Sequence, residues 1–354
     1  MGSKKNVSID GLLIGSNNPV RVESMLKTPL TEINLCFTEL DSLADEGCEL
    51  VRVSFPSLDL SDNFSKLIRQ CTRLKIMADI HFSHKLALAA LKCGSPSIRI
   101  NPGNMTDRDG LTEVISLAKE TGSVIRIGAN GGSLNNRQIK EAGGDRAKAL
   151  AAAVEEQIKL LNENAFDNMI ISAKSSSVTE TVRANAILAQ KYDYPIHIGI
   201  TEAGSGVSGV VKGALGIGVM LSQGIGDTVR VSLTEPGTEE VKTAYHILRS
   251  LEIRKHGYNF ISCPTCGRKR VDVASLSEIV KSLLPNDIPD GMTIAVMGCE
   301  VNGPKEASGA DLGIAGTPDG FVMFRKGKHM CSGRIEQLED ELKKIIKTLR
   351  DCSN

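Results

Sequence analysis

Short β-branched runs recur along the first two-thirds of the chain, and between them the apolar residues fall every three to four positions. The runs cover 20–25, 50–55, 74–80, 97–101, 123–127, 168–173, 196–201 and 228–233, and helical spacing fills 31–47, 107–121, 136–161, 178–191 and 238–255. Strand followed by helix, repeated through eight strands, predicts an α/β fold of the (β/α)8 TIM-barrel type, whose usual size is about 250 residues. An open doubly wound sheet is the alternative that the same alternation permits.

After Lys255 the rhythm changes. Residues 256–354 read as a smaller α+β unit with a helix at 272–284, strands at 292–297 and 311–315, a hairpin through 321–328 and a closing amphipathic helix at 334–350. The expected division is therefore a barrel over 1–255 and a second domain over 256–354.

The predicted barrel strands carry polar residues near their carboxyl ends. Arg52 and Ser54 lie in the second run, and Asp79 and His81 end the third. Arg99 and Asn101 follow in the fourth, Arg126 in the fifth, Lys174 after the sixth, Thr201 and Glu202 in the seventh, and Arg230 and Ser232 in the eighth. A parallel strand buried on both faces is normally apolar, so ionisable groups repeated at one end are costly unless they line a site. The carboxyl face of a barrel is where such sites form.

Composition narrows the classes. With 354 residues, 41% of them apolar and 24% charged, the chain can bury a sizeable core. Forty-two basic residues balance forty-two acidic ones, which excludes a global field that would hold nucleic acid or an anionic membrane. Anion recognition must then be local. Aromatics make up only 3% and there is no Trp, against a base-stacking platform. Nine cysteines, a start with charge but no apolar run behind it, and the lack of an 18-residue apolar stretch predict reduced thiols in the cytoplasm and no membrane span. Cys36, Cys48, Cys71 and Cys93 read as buried small hydrophobes.

The sharpest local signal is Cys263-Pro264-Thr265-Cys266-Gly267-Arg268, followed by Met297-Gly298-Cys299-Glu300-Val301-Asn302-Gly303-Pro304-Lys305-Glu306. A CxxC turn lets two thiolates converge on one centre, and a third cysteine in a second Gly/Pro-rich loop can close over it. Soft thiolates suit zinc or iron-sulfur clusters. Zinc would need a fourth ligand such as Cys331 or His329. A thioredoxin-like disulfide would leave Cys299 unexplained and lacks its βαβ setting. Three cysteines leave one iron of a cluster free for a harder ligand, and Glu306 is placed to supply it.

These residues carry a resemblance. Val22-Glu23-Ser24-Met25, Leu50-Val51-Arg52-Val53, Ala78-Asp79-Ile80-His81-Phe82, Ile98-Arg99-Ile100-Asn101-Pro102-Gly103-Asn104, Arg126-Ile127-Gly128, Thr201-Glu202-Ala203-Gly204, Arg230-Val231-Ser232-Leu233 and the two cysteine loops stand in an order that resembles the 4-hydroxy-3-methylbut-2-en-1-yl diphosphate synthase family across essentially the whole chain. The resemblance implies a TIM barrel that binds 2-C-methyl-D-erythritol 2,4-cyclodiphosphate, with a C-terminal domain carrying a 4Fe-4S cluster on Cys263, Cys266, Cys299 and Glu306. It implies reductive ring opening and dehydration in isoprenoid synthesis, a reduced flavodoxin or ferredoxin as donor, and a homodimer. Arg52, Arg99, Arg126, Lys174 and Arg230 would line the diphosphate site, with Asn130, Thr201 and Ser232 adding neutral hydrogen bonds. Asp79 and His81 would contact substrate or pair with each other. Glu202 would be an acid/base group, expected as a buried carboxyl facing the cations. The chain departs from the family at Lys305, often Gly, and at Glu300, often small or apolar, and Gly128 to Gly132 is slightly altered.

Overall fold

In a computed structural model the chain forms two compact units, Met1–Arg254 and Lys255–Asn354. The structure describes residues 3–81, 83–101, 107–267, 269–285, 288–300 and 303–351. Phe82, Pro102, Gly103, Asn104, Arg268, Val301, Asn302 and Cys352 lie outside them.

The first unit opens with a hairpin, β1 (Asn6–Ile9) and β2 (Leu12–Gly15), that the periodicity did not single out. Eight parallel strands follow: β3 (Arg21–Met25), β4 (Leu50–Ser54), β5 (Lys75–Asp79), β6 (Ser97–Ile100), β7 (Val124–Asn130), β8 (Met169–Lys174), β9 (His197–Ile198) and β10 (Thr228–Val229). Their order is β8-β7-β6-β5-β4-β3-β10-β9, and a parallel bridge from Ile171 to Ile196 joins the two ends, closing a barrel and excluding the open sheet. The strand helices are α1 (Ile33–Asp45), α2 (Ser61–Gln70), α3 (His84–Lys92), α4 (Arg108–Thr121), α5 (Asn136–Glu141), α6 (Arg146–Glu163), α7 (Val178–Lys191), α8 (Gly206–Ser222) and α9 (Gly237–Ser250).

Three features differ from the sequence expectation. The single helix expected over 136–161 is two, because Gly143 and Gly144 both take positive φ and Asp145 then caps α6 by accepting from Ala147 and Lys148 N–H. α8 was not among the helices named from the spacing; glycine-rich and of weak helix propensity, it forms because its glycines let it pack closely: a Cβ at Gly209 would lie 2.8 Å from Leu233 Cδ2, and one at Gly216 would strike Ile200. Cys36 and Cys48 are buried as expected, but Cys71 and Cys93 are only half-buried at the core margin.

Strand alternation assigns the barrel's two faces. Val51, Val53, Ile76, Ala78, Ile98, Ile125, Ile127, Ile171 and Ala173 pack outward into the helix-covered core. On the inner face, Leu50, Met77, Val124 and Ile170 meet Val7, Ile9 and Ile14 of the hairpin in a separate apolar cluster. The hairpin thus plugs the amino end of the barrel, and the polar inner residues are pushed toward the carboxyl end.

The second unit is a five-stranded mixed sheet, β11 (Asn259–Ser262), β12 (Thr293–Met297), β13 (Leu312–Thr317), β14 (Gly320–Arg325) and β15 (Lys328–Gly333), paired in that order. β11 was not expected; it pairs parallel with β12 across α10, so the CxxC does stand in a βαβ unit, contrary to the sequence expectation, and the hairpin runs five residues beyond 328, to Gly333. Helices α10 (Val273–Leu283) and α12 (Leu338–Asp351) give Val273, Leu276, Val280, Leu342 and Ile346 to one core, and α11 (Gly303–Glu306) lies by a smaller cluster that includes Ala307. No helix among the described residues is long and apolar enough to cross a membrane.

Candidate active site

At the carboxyl end of the barrel a cavity of about 110 Å³ is lined by Arg52, His81, Arg99, Arg126, Asn130, Ser172, Lys174, His197, Thr201, Arg230 and Ser232, with Ile127 and Gly128. All the proposed diphosphate contacts except Asp79 line it directly. Each charged group reaches inward from a different strand or strand end, so side chains far apart in sequence share one low-dielectric space.

Behind the cations stand buried carboxylates. Asp79 lies 3.3 Å from Arg52 Nε, 3.4 Å from Arg99 and 3.4 Å from His81 Nε2. Burial alone would raise the Asp79 pKa, but the hydrogen bond from His81 and the charges of Arg52 and Arg99 outweigh it and hold the carboxyl well below the usual range. Burial in turn pulls Arg99 down to about 10. Glu23, on β3, grips Arg126; both are almost fully buried. Glu240, on α9, accepts from Leu233 N–H and stands 3.3 Å from Lys27 and 3.6 Å from Arg230 Nε. Lys174 Nζ meets His197 Nε2 at 2.6 Å.

His197, Glu23, Glu240 and Gly199 were not among the expected site residues. Period-two alternation from Ser172 and Lys174 to the neighbouring strand would have pointed to His197, and Glu23 is a carboxylate at the buried centre of β3. Gly199 is required by space: a Cβ there would collide with the Arg230 carbonyl oxygen and stand 3.1 Å from Lys174 Nζ.

Glu202 corrects an expectation. β9 ends at Ile198, and the chain then turns, placing Thr201 on the cavity and Glu202 at φ 53 in an exposed position. Its carboxyl does not line the cavity and is not buried among the cations. A larger groove of about 640 Å³ beside Tyr192, Tyr194 and Asp227 opens at the amino ends of β9 and β10, away from the cationic lining.

In the second unit, Cys263, Cys266, Cys299 and Glu306 line one cavity of about 170 Å³ with Lys269 and Gly298. β11 delivers Cys263, the turn at Thr265 (φ 64) presents Cys266, β12 runs into Gly298 and Cys299, and α11 carries Glu306. Gly298 N–H donates to Cys263 Sγ at 3.2 Å, and a Cβ at Gly298 would stand 3.3 Å from that sulfur and 2.7 Å from Val273. None of the three cysteines is in a disulfide, and among the described residues no group of three or more His, Cys, Asp or Glu is already drawn together as a metal site. Cys331 and His329 sit on β15, at the opposite sheet edge from β11, four strand spacings or roughly 19 Å away. Neither residue expected to complete a zinc site therefore stands by the three thiols.

A closed (β/α)8 barrel with a cation-lined carboxyl end, followed by a small unit with a thiol-lined cavity, defines a barrel enzyme that recognises an anion and has an appended thiol-bearing domain. Residues 4–245 match the GcpE TIM-barrel domain and residues 259–348 the GcpE protein C-terminal domain. Relatives named 4-hydroxy-3-methylbut-2-en-1-yl diphosphate synthase (flavodoxin) include one from Maridesulfovibrio salexigens, 44% identical over 89% of this chain and 87% of its own. One from Lawsonia intracellularis is 42% identical over 97% of this chain and 96% of its own. The chain belongs to the GcpE family of 4-hydroxy-3-methylbut-2-en-1-yl diphosphate synthases. Dihydropteroate synthase from Yersinia pestis shares the barrel fold alone, with a TM-score of 0.50 and 11% identity over 71% of this chain and 100% of that one.

Proposed function

We propose that the protein converts 2-C-methyl-D-erythritol 2,4-cyclodiphosphate to 4-hydroxy-3-methylbut-2-enyl diphosphate in isoprenoid synthesis. The observation that carries this reading is the convergence of Arg52, Arg99, Arg126, Lys174 and Arg230 on one cavity in a chain of zero net charge. The ring dianion takes up two electrons and one proton, its ring C–O bond breaks, and a linear diphosphate trianion and water leave. Guanidinium forks hold phosphate oxygens at two points and stabilise the charge that develops on the departing oxygen. Asn130, Thr201 and Ser232 add neutral hydrogen bonds. Asp79 fixes the directions of Arg52, Arg99 and His81. Glu202, carried at the rim beside Thr201, supplies acid/base chemistry for the departing hydroxyl.

The thiol cavity suits an iron-sulfur group: its donors are soft, none is locked in a disulfide, and a backbone N–H already points at Cys263 Sγ. Cys263, Cys266, Cys299 and Glu306 would hold a 4Fe-4S cluster, which would supply the electrons one at a time. The donor is a small low-potential carrier, flavodoxin or ferredoxin, and the enzyme works in the cytoplasm. A homodimer accords with α8, whose Val207, Val211, Leu215 and Val219 recur every fourth residue and are all exposed.

Turnover of the cyclic diphosphate by anaerobically purified protein with dithionite or reduced flavodoxin tests the reading. The expected result is a brown protein, absorbing broadly near roughly 400 nm, that forms the linear allylic diphosphate. Colourless protein with stoichiometric zinc, or redox cycling without consumption of the ring, would overturn it.

A further inference from the structure

His197, the first residue of β9, faces the barrel cavity at 1% exposure, and its ring is engaged at both nitrogens. Nε2 lies 2.6 Å from Lys174 Nζ, while Nδ1 lies 2.7 Å from Thr228 Oγ1 and 3.6 Å from Glu23 Oε2. An ammonium only donates, so a charged Lys174 requires a neutral His197 with a bare Nε2 and its proton on Nδ1, facing Thr228 and Glu23. Two cations at this separation in a buried site would repel strongly. The pair therefore holds at most one proton beyond its neutral form.

The surroundings set which form is favoured without ligand. Arg52, Arg126 and Arg230 face the pair from their own strands, and Glu23 is the nearby carboxylate, already gripping Arg126. Among the described residues Lys174 has no carboxylate within ion-pair distance. A Lys174 cation in the empty cavity would thus be a buried charge among guanidiniums without a counter-ion of its own. Burial first, and then the Arg126 charge, push the Lys174 pKa far down; burial and Lys174 itself do the same to His197. A bound diphosphate reverses the balance by bringing negative charge to the ammonium.

We propose that Lys174 and His197 form a proton-uptake pair, neutral in the ligand-free cavity, which gains one proton as the diphosphate binds. The inference rests on the reading of this cavity as the cyclic diphosphate site. A basic group whose pKa is low in the free protein and raised by the bound anion takes up a proton at any pH between the two values. Uptake vanishes at pH low enough for the free pair to be charged already.

Isothermal titration of the full-length, anaerobic, unreduced protein with 2-C-methyl-D-erythritol 2,4-cyclodiphosphate, in buffers of different ionisation enthalpy, measures this directly. Each phosphoryl group of the ring has one strongly acidic proton, so the ligand exchanges none near neutrality. At about pH 8 the binding heat should follow buffer enthalpy with a slope approaching one proton taken up. The slope should shrink as pH falls and be lost in Lys174→Met. Because that variant also weakens binding, the imidazole nitrogen spectrum of the wild-type protein is the second readout, and both His197 nitrogens should shift when the ring binds. Binding heat independent of buffer from pH 6.5 to 9, or a His197 spectrum unmoved by bound ring, would overturn the proton-uptake pair alone. Absence of binding would overturn the substrate reading and this inference with it.

Discussion

Glu23 and Arg126, 103 residues apart in the chain, meet as an ion pair inside the barrel, with both side chains almost fully buried. Such a pair adds little to stability when intact, but removing one partner leaves an uncompensated buried charge. Glu23→Ala should lower the free energy of unfolding by about 3–5 kcal/mol, measured by urea denaturation of the full chain. A loss below about 1 kcal/mol, the range of an exposed pair, would show that Arg126 does not depend on Glu23.

Asp79 gives the site an acid limit. Its folded pKa is depressed, so its contribution to stability is complete above the unfolded value of about 4 and is lost as pH falls from there toward the folded value. Asp79→Asn should be less stable than the wild type at pH 6, and the two melting temperatures should converge as pH falls below about 4. Parallel melting curves across that window would contradict the clamp assigned to Asp79.

Gly199→Ala tests the room made for Lys174. The new methyl meets the Arg230 carbonyl and Lys174, and overpacking of this kind costs about 1–3 kcal/mol. Ring affinity should fall with it. Gly218→Ala on α8 is the control: nothing lies within 4 Å of its Cβ position, and alanine there should be neutral or stabilising by about 0.5–1 kcal/mol. Equal thermal shifts in the two variants would remove the special role of Gly199.

The thiol cavity separates holding from chemistry. Cys299→Ser should purify without the visible absorption and with little iron, whereas Glu306→Ala should keep iron and lose most turnover. Iron content and absorbance, read beside product formation, distinguish the two. Wild-type turnover in Glu306→Ala would end the case for a labile carboxylate ligand.

Much of this molecule is written locally. Alternating strand and helix patterns, with Arg52, Asp79, Arg99, Arg126, Lys174 and Arg230 near successive strand ends, already implied a barrel with a cationic mouth, because inward-facing polar residues are too costly to repeat without a use. The motif order also carried the family, and the CxxC turn with Cys299 the thiol cavity. Other features depended on groups distant in the chain. α8 is helical because its glycines fit against Ile200 and Leu233, a packing effect that outweighs weak propensity. Glu202, read as a buried acid, is exposed because β9 ends three residues earlier than the pattern suggested. The plug of β1 and β2, the junction of Ile171 with Ile196, and the meeting of Lys174 with His197 arise only on closure. Hydrophobic periodicity reports which face of an element is buried; it holds no record of which buried face another element supplies. Charge pairing and pKa depend on those cross-strand distances, so only the tertiary structure decided them.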